Sequence, residues 1–176
     1  MRIIGGKHRG RILKEFDGTA IRPTSDRARE ALFNVFAAKI PDCVFLDLFA
    51  GSGAVGLEAI SRGAKEVVFT DVSKKSVELI KKNLALINEG AQVLLKNGLD
   101  YIKDCNKKFD IIFIDPPYDS DLGIKALTAI SEKSVLQEGG VAVFESDKEC
   151  DIEFPSLRKV SSRRYGKNCF NIYEKV

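Results

Sequence analysis

The tetrapeptide Asp115-Pro116-Pro117-Tyr118 puts a carboxylate, two rigid prolines and a flat phenol ring in four consecutive positions. It follows Phe109-Asp110-Ile111-Ile112-Phe113-Ile114, an apolar run that reads as a buried strand. The prolines fix two φ angles and remove two N–H donors. The carbonyls of this stretch can then face outward as acceptors beside the Asp115 carboxylate and the Tyr118 ring. Such a pocket suits a planar ligand with an exocyclic amino group, such as a nucleobase. A plain turn ending a strand is the competing reading, because proline often punctuates strands.

A second cluster lies upstream. Val44-Phe45-Leu46-Asp47-Leu48-Phe49-Ala50-Gly51-Ser52-Gly53-Ala54-Val55-Gly56 reads as a strand, a tight glycine turn and a helix start. Glycines allow positive φ and a close approach of ligand to backbone. The helix start offers free N–H groups. Eighteen residues after Gly53, at the end of the next apolar run, stands Asp71, followed by Val72. An acid there can accept from both ribose hydroxyls of an adenosine. Gly51 to Gly56 matches G-x-G-x-x-G, a weak signal for a dinucleotide when it stands alone. Asp47 separates the readings. A carboxylate beside the loop repels a pyrophosphate and attracts an ammonium group. S-adenosylmethionine carries adenosine, a sulfonium and an amino acid but no phosphate, so it fits Asp47, Phe49, Ala50, Gly51, Ser52, Gly53, Asp71 and Val72 better than NAD. A helix cap or strand-end ion pair would also account for Asp47 alone, and an N-cap for Asp71 alone.

These groups need a scaffold that brings strand ends together. From about residue 43, strand-like runs (44–48, 66–70, 92–95, 111–114, 141–145) alternate with helical stretches (55–62, 74–88, 124–133). Val77, Ile80, Leu84 and Ile87 give the second helix an apolar face. The alternation predicts an α/β fold, a doubly wound and mostly parallel sheet with helices on both faces. Its site lies beyond the carboxyl ends of the strands. Residues 157–163 and 168–174 flank Tyr165-Gly166-Lys167 with no helix between them, which predicts an antiparallel hairpin at the sheet edge. Residues 1–40 read as a basic extension packed on the core of 41–176. They hold a short hairpin pairing 2–4 with 11–13, then a helix capped by Thr24 or Ser25 and running to about Ala38.

Of 176 residues, 44% are hydrophobic and 30% charged, ordinary for one globular domain. No apolar run is long enough to span a membrane, and the first residues lack a signal-peptide core. Four scattered cysteines and a single histidine argue against a metal site and for reduced thiols in the cytoplasm. Net charge is +3, with +5 in residues 1–29 and +5 in 158–176, leaving −7 between them. Basic ends on an acidic middle suggest a footprint for a polyanion. The candidates are Arg2, Lys7, His8, Arg9, Arg11 and Arg22 at one end and Arg163, Arg164 and Lys167 at the other.

Asp47–Gly53, Asp71 and Asp115–Tyr118 resemble the motifs of class I S-adenosylmethionine-dependent methyltransferases, the tetrapeptide resembling the branch that acts on amino nitrogens. The opening Arg2-Ile3-Ile4-Gly5-Gly6-Lys7-His8-Arg9-Gly10-Arg11 and the stretch Arg22-Pro23-Thr24-Ser25-Asp26-Arg27-Ala28-Arg29-Glu30-Ala31-Leu32-Phe33-Asn34 are similar to the bacterial 16S ribosomal RNA guanine-N2 methyltransferases. The resemblance implies a seven-stranded sheet with its last strand antiparallel, S-adenosylmethionine as cofactor, and methylation of one guanine N2 in 16S rRNA. It also implies a substrate within a small-subunit assembly particle that already carries ribosomal proteins. We expect a monomer. Asp115, Pro116, Pro117 and Tyr118 would be catalytic, and Asn97, Gly98 and Leu99 would join the cofactor site. Many relatives carry an acid where this chain has Asn97, with Asp100 three residues on, so either could meet the adenine amino group. The tetrapeptide alone also fits methylation of adenine or cytosine in DNA, or of a protein glutamine. An NAD oxidoreductase would leave the tetrapeptide unexplained. A noncatalytic RNA-binding module would leave Asp115 unexplained.

Overall fold

The structure is a computed structural model and describes residues 1–16, 26–118 and 120–176. Its centre is a seven-stranded sheet of order β3-β2-β1-β4-β5-β7-β6. The strands are β1 (Val44–Asp47), β2 (Glu66–Asp71), β3 (Gln92–Leu95), β4 (Phe109–Ile114), β5 (Leu136–Ser146), β6 (Leu157–Tyr165) and β7 (Asn168–Lys175). The first five are parallel. β7 enters antiparallel between β5 and β6. The predicted architecture is therefore present, including the terminal hairpin.

Alternation along each strand sends side chains to two cores. Phe45, Val67, Phe69, Ile111, Phe113 and Val143 face helices α1 (Asp26–Val35), α2 (Ala54–Ser61) and α3 (Lys74–Leu86). Leu46, Val68, Ile112, Ile114 and Ala142 face α4 (Gly98–Asp104) and α5 (Leu122–Lys133). Both faces are covered, so the strands read as continuous apolar runs.

Three boundaries differ from the sequence reading. α4 was not predicted, because seven residues are too few to show a helical period. β5 begins at Leu136 rather than Val141, since its exposed Gln137-Glu138-Gly139 segment looks like a turn. α1 ends at Val35, and residues 36–39 close it as a turn. The predicted caps Thr24 and Ser25 lie outside the described residues.

The N-terminal hairpin is reduced to one antiparallel bridge, Arg2 to Ile12, with flanking backbone bonds. Its anchor is α2, a helix buried on every side between the sheet and this segment. Glu58, wholly buried in α2, accepts from the backbone N–H groups of Ile4 and Gly5 (2.8 Å each) and from Arg62 Nε (2.7 Å). Arg29, 1% exposed, lies 3.7 Å from Glu58 and donates to the Arg2 carbonyl at 2.6 Å. Gly6 makes the close approach possible. It has φ of 75°, and a Cβ there would stand 1.8 Å from the Ser61 carbonyl oxygen.

Candidate active site

Asp47, Asp71 and Asp115 stand at the carboxyl ends of β1, β2 and β4, which lie side by side in the order β2-β1-β4. The chain runs outward from β1 through β2 to β3, then returns to β4. The crevice between β1 and β4 is therefore the topological switch point, where open α/β sheets bind ligands. A cavity of about 540 Å³ opens there. The glycine loop, Asp47, Asp71, Val72, Asn97, Gly98 and the whole of Asp115–Tyr118 line it.

The loop is built around Gly53, whose φ of 77° lets α2 start abruptly without a side-chain cap. A Cβ at Gly53 would meet Ile80 at 2.8 Å. Asp71 braces the loop from below. One carboxylate oxygen accepts from Gly51 N–H and the other from Ser73 N–H, both at 2.8 Å. Ser73, and not Asp71, caps α3. Asp47 is 2% exposed and accepts from Gly56 N–H at 2.9 Å. Burial pushes its carboxyl up to about 7, opposed by the Gly56 N–H and aided by the nearby charges of Asp115 and Asp71. Burial likewise pushes Asp115 up to about 7. Burial thus favours the protonated form of both acids, and a cation placed beside them would favour the carboxylates instead.

Asn97 is exposed and caps α4, its amide oxygen accepting from Leu99 and Asp100 N–H. That oxygen is committed to the helix start, which disfavours the acceptor role expected for it. Asp100 and Leu99 do not line the cavity; Leu99 packs on the second core. Phe49, Ala50, Ser52 and Val72 do line it. Val72 is 71% exposed, an apolar side chain at the mouth.

A second cavity, of about 400 Å³, lies on the far side of Asp115–Tyr118. Its other walls are Ile124, Phe144, Glu145 and the segment 146–152 that leads from β5 toward β6. The tetrapeptide is thus a partition between two chambers. Ser120 Oγ donates to the Pro117 carbonyl at 2.6 Å, which holds the turn. The sequence reading missed this second chamber, although Glu145 ends a strand just as Asp47, Asp71 and Asp115 do.

The basic residues divide. Lys7 and His8 both reach Glu89 (2.6 and 2.7 Å), and Arg2 reaches Asp26 at 3.3 Å. Those contacts fasten the N-terminal segment to its neighbours. Arg9, Arg11, Arg163 and Lys167 are exposed and form no ion pair among the described residues. Arg164 donates to the Asp147 carbonyl at the rim of the second chamber. Arg22 lies outside the described residues. No group of three or more His, Cys, Asp or Glu among the described residues could hold a metal ion. No helix among them is long and apolar enough to cross a membrane.

Comparison with known proteins identifies the family. The profile of the family described as "Conserved hypothetical protein 95" matches residues 1–174. The Bacillus subtilis protein YlbH is 36% identical over 99% of each chain. Ribosomal RNA small subunit methyltransferase D of Escherichia coli is 37% identical over 85% of this chain and 76% of its own length. The solved structure of yhhF from Escherichia coli superposes with a TM-score of 0.90, at 34% identity, over 99% of this chain and 97% of that one. The chain belongs to the Conserved hypothetical protein 95 family and, within it, to the S-adenosylmethionine-dependent methyltransferases related to ribosomal RNA small subunit methyltransferase D.

Proposed function

We propose that this protein transfers a methyl group from S-adenosylmethionine to the exocyclic N2 of one guanine in small-subunit (16S) ribosomal RNA, within an assembly particle. The observation that carries this reading is the partition. Asp115–Tyr118 faces a chamber suited to the cofactor on one side and a chamber suited to a base on the other. In the first chamber Asp71 accepts from the ribose hydroxyls, Val72 covers the adenine, the glycine loop approaches the amino acid moiety, and Asp47 draws its ammonium. In the second, Tyr118, 63% exposed, stacks on the extruded base. Asp115 and the Pro116 carbonyl accept the two amino hydrogens. That contact favours a pyramidal nitrogen with its lone pair aimed at the sulfonium methyl, at near-attack distance. The product ammonium is acidic enough to lose its proton to Asp115 or to water. Arg9, Arg11, Arg163 and Lys167 hold phosphates outside the chamber.

The test is transfer of labelled methyl from S-adenosylmethionine to small subunits from a strain lacking the protein, followed by mass spectrometry of the digested RNA. N2-methylguanosine supports the proposal. Label in another nucleoside, or none, sinks the guanine assignment and leaves the fold standing.

Cofactor affinity is expected to depend on pH. Both raised acids favour the ligand-free fold at low pH. That contribution is complete below the ordinary carboxylate value of 3.8 and is lost as pH rises through about 7. A cationic ligand reverses the balance by favouring the carboxylates. Calorimetry should therefore show proton release on binding S-adenosylmethionine near pH 6.5, and affinity rising from pH 6 to pH 8. An affinity that falls over that range would refute the Asp47–ammonium contact.

A further inference from the structure

β4 and β5 are parallel neighbours with Ile114 paired to Phe144. Asp115 directly follows β4 and Glu145 is the next residue of β5, so the two acids come one step beyond the last pair of the register, and both line the second chamber. Glu145 is 5% exposed and lines the second chamber. Asn168, the first residue of β7, donates to it at 2.6 Å and fixes its direction. The other acids of that chamber, Asp147, Glu149 and Asp151, are exposed, and Lys159 engages Glu149 and Asp151. Glu145 is thus the acid that the fold places at the buried end, next to the acid assigned to the target nitrogen. Asn168 engages one of the two oxygens of the Glu145 carboxylate.

An acid next to Asp115 in a base-sized chamber sorts bases by their edges. Guanine presents two adjacent donor groups, N1–H and the 2-amino group. Adenine and cytosine place a ring nitrogen lone pair beside their amino group. A buried carboxylate attracts the first pattern and repels the second. We propose that Glu145 is the specificity-determining residue of this site, accepting the N1–H of guanine while Asp115 accepts from the 2-amino group. The inference rests on the guanine-N2 reading above and adds the reason that guanine, rather than adenine or cytosine, is accepted. The ring would lie between Tyr118 and Ile152, the exposed apolar side chains at the chamber's rim.

The test uses a base that keeps the target amino group and changes its neighbour. 2-Aminopurine riboside has the 2-amino group of guanosine, but its N1 is an acceptor. Wild-type protein saturated with S-adenosylhomocysteine is titrated with 2-aminopurine riboside, followed by its fluorescence, with guanosine as competitor. The same titration is made with Glu145→Gln, which is isosteric and can still accept from Asn168 while offering an N–H to the base. The wild type should prefer guanosine by about tenfold or more, and the variant should reverse that order. The melting shift given by S-adenosylhomocysteine should be the same in both, which reports an intact cofactor chamber. A variant that keeps the wild-type preference overturns the assignment. So does a wild type with no preference, and that arm decides alone if the variant does not fold. The labelled nucleoside from small subunits is a separate readout. If it is not N2-methylguanosine, the parent reading fails whatever the titration shows.

Discussion

Asp115→Ala should lower the turnover number for methyl transfer by about a thousandfold, or ~4 kcal/mol, while S-adenosylhomocysteine still raises the melting temperature as in the wild type. The guanine amino nitrogen is a poor nucleophile because its lone pair is delocalised into the ring. Asp115 acts on that delocalisation as the reaction proceeds, so its loss appears in kcat rather than in cofactor binding. Its partly buried position, beside the rigid Pro116 and Pro117, makes the contact directional. Asp115→Asn keeps an acceptor oxygen without the charge and should lie between the two. The pH profile of the wild type should rise through about 7 as Asp115 ionises. Single-turnover assays on small subunits check the series. An alanine variant within tenfold of wild type would remove Asp115 from the chemistry.

Glu58→Ala should be the most damaging single change away from the two chambers. It removes the acceptor of two backbone N–H groups and of Arg62. It also leaves Arg29, at 1% exposure, with Asp26 as its one remaining carboxylate neighbour among the described residues, where Arg29 Nε and Nη1 already have no hydrogen-bond partner. Breaking a buried pair by deleting one partner costs about 3–5 kcal/mol. For a chain of this length that is a melting temperature lower by about 10 °C. Scanning calorimetry measures the drop, and limited trypsin digestion at Lys7, Arg9 and Arg11 should show the N-terminal segment released. A drop under about 2 °C with unchanged digestion would mean that Glu58 does not hold this segment.

The sheet was legible because its central strands are fully buried. Runs such as Val44–Leu48 and Ile111–Ile114 leave little ambiguity once longer amphipathic stretches separate them. The acids at strand ends were legible for the same reason, since a carboxylate directly after a buried run must have a use. Glu145 obeys the same rule, yet Glu145-Ser146-Asp147-Lys148-Glu149 reads as an ordinary polar exit from a strand. Only the cavity marks it out. The Glu58–Arg29 pair was hidden more deeply. Glu58 sits in an otherwise apolar helix and looks like its solvent face, because nothing local reveals that residues 1–16 cover it. Lys7 and His8 were misleading in the opposite sense. Both look like free basic groups until the turn after α3 brings Glu89 beside them.

The N-terminal segment is made first and docks late. Ile4 meets Glu58, 54 positions away, Lys14 meets Asn83, 69 away, and His8 meets Glu89, 81 away. During vectorial synthesis none of these partners exists while residues 1–16 leave the exit tunnel, and α3 completes the set only after half the chain has been made. The segment bonded through Glu58 therefore acts as a clasp that shuts behind the glycine loop once both are present. Met1, whose sulfur accepts from the Ser52 hydroxyl, touches that loop directly. A nascent chain stalled before Glu89 would have the loop's sequence without its backing, so competence to hold the cofactor should arrive as a late step in the birth of this enzyme.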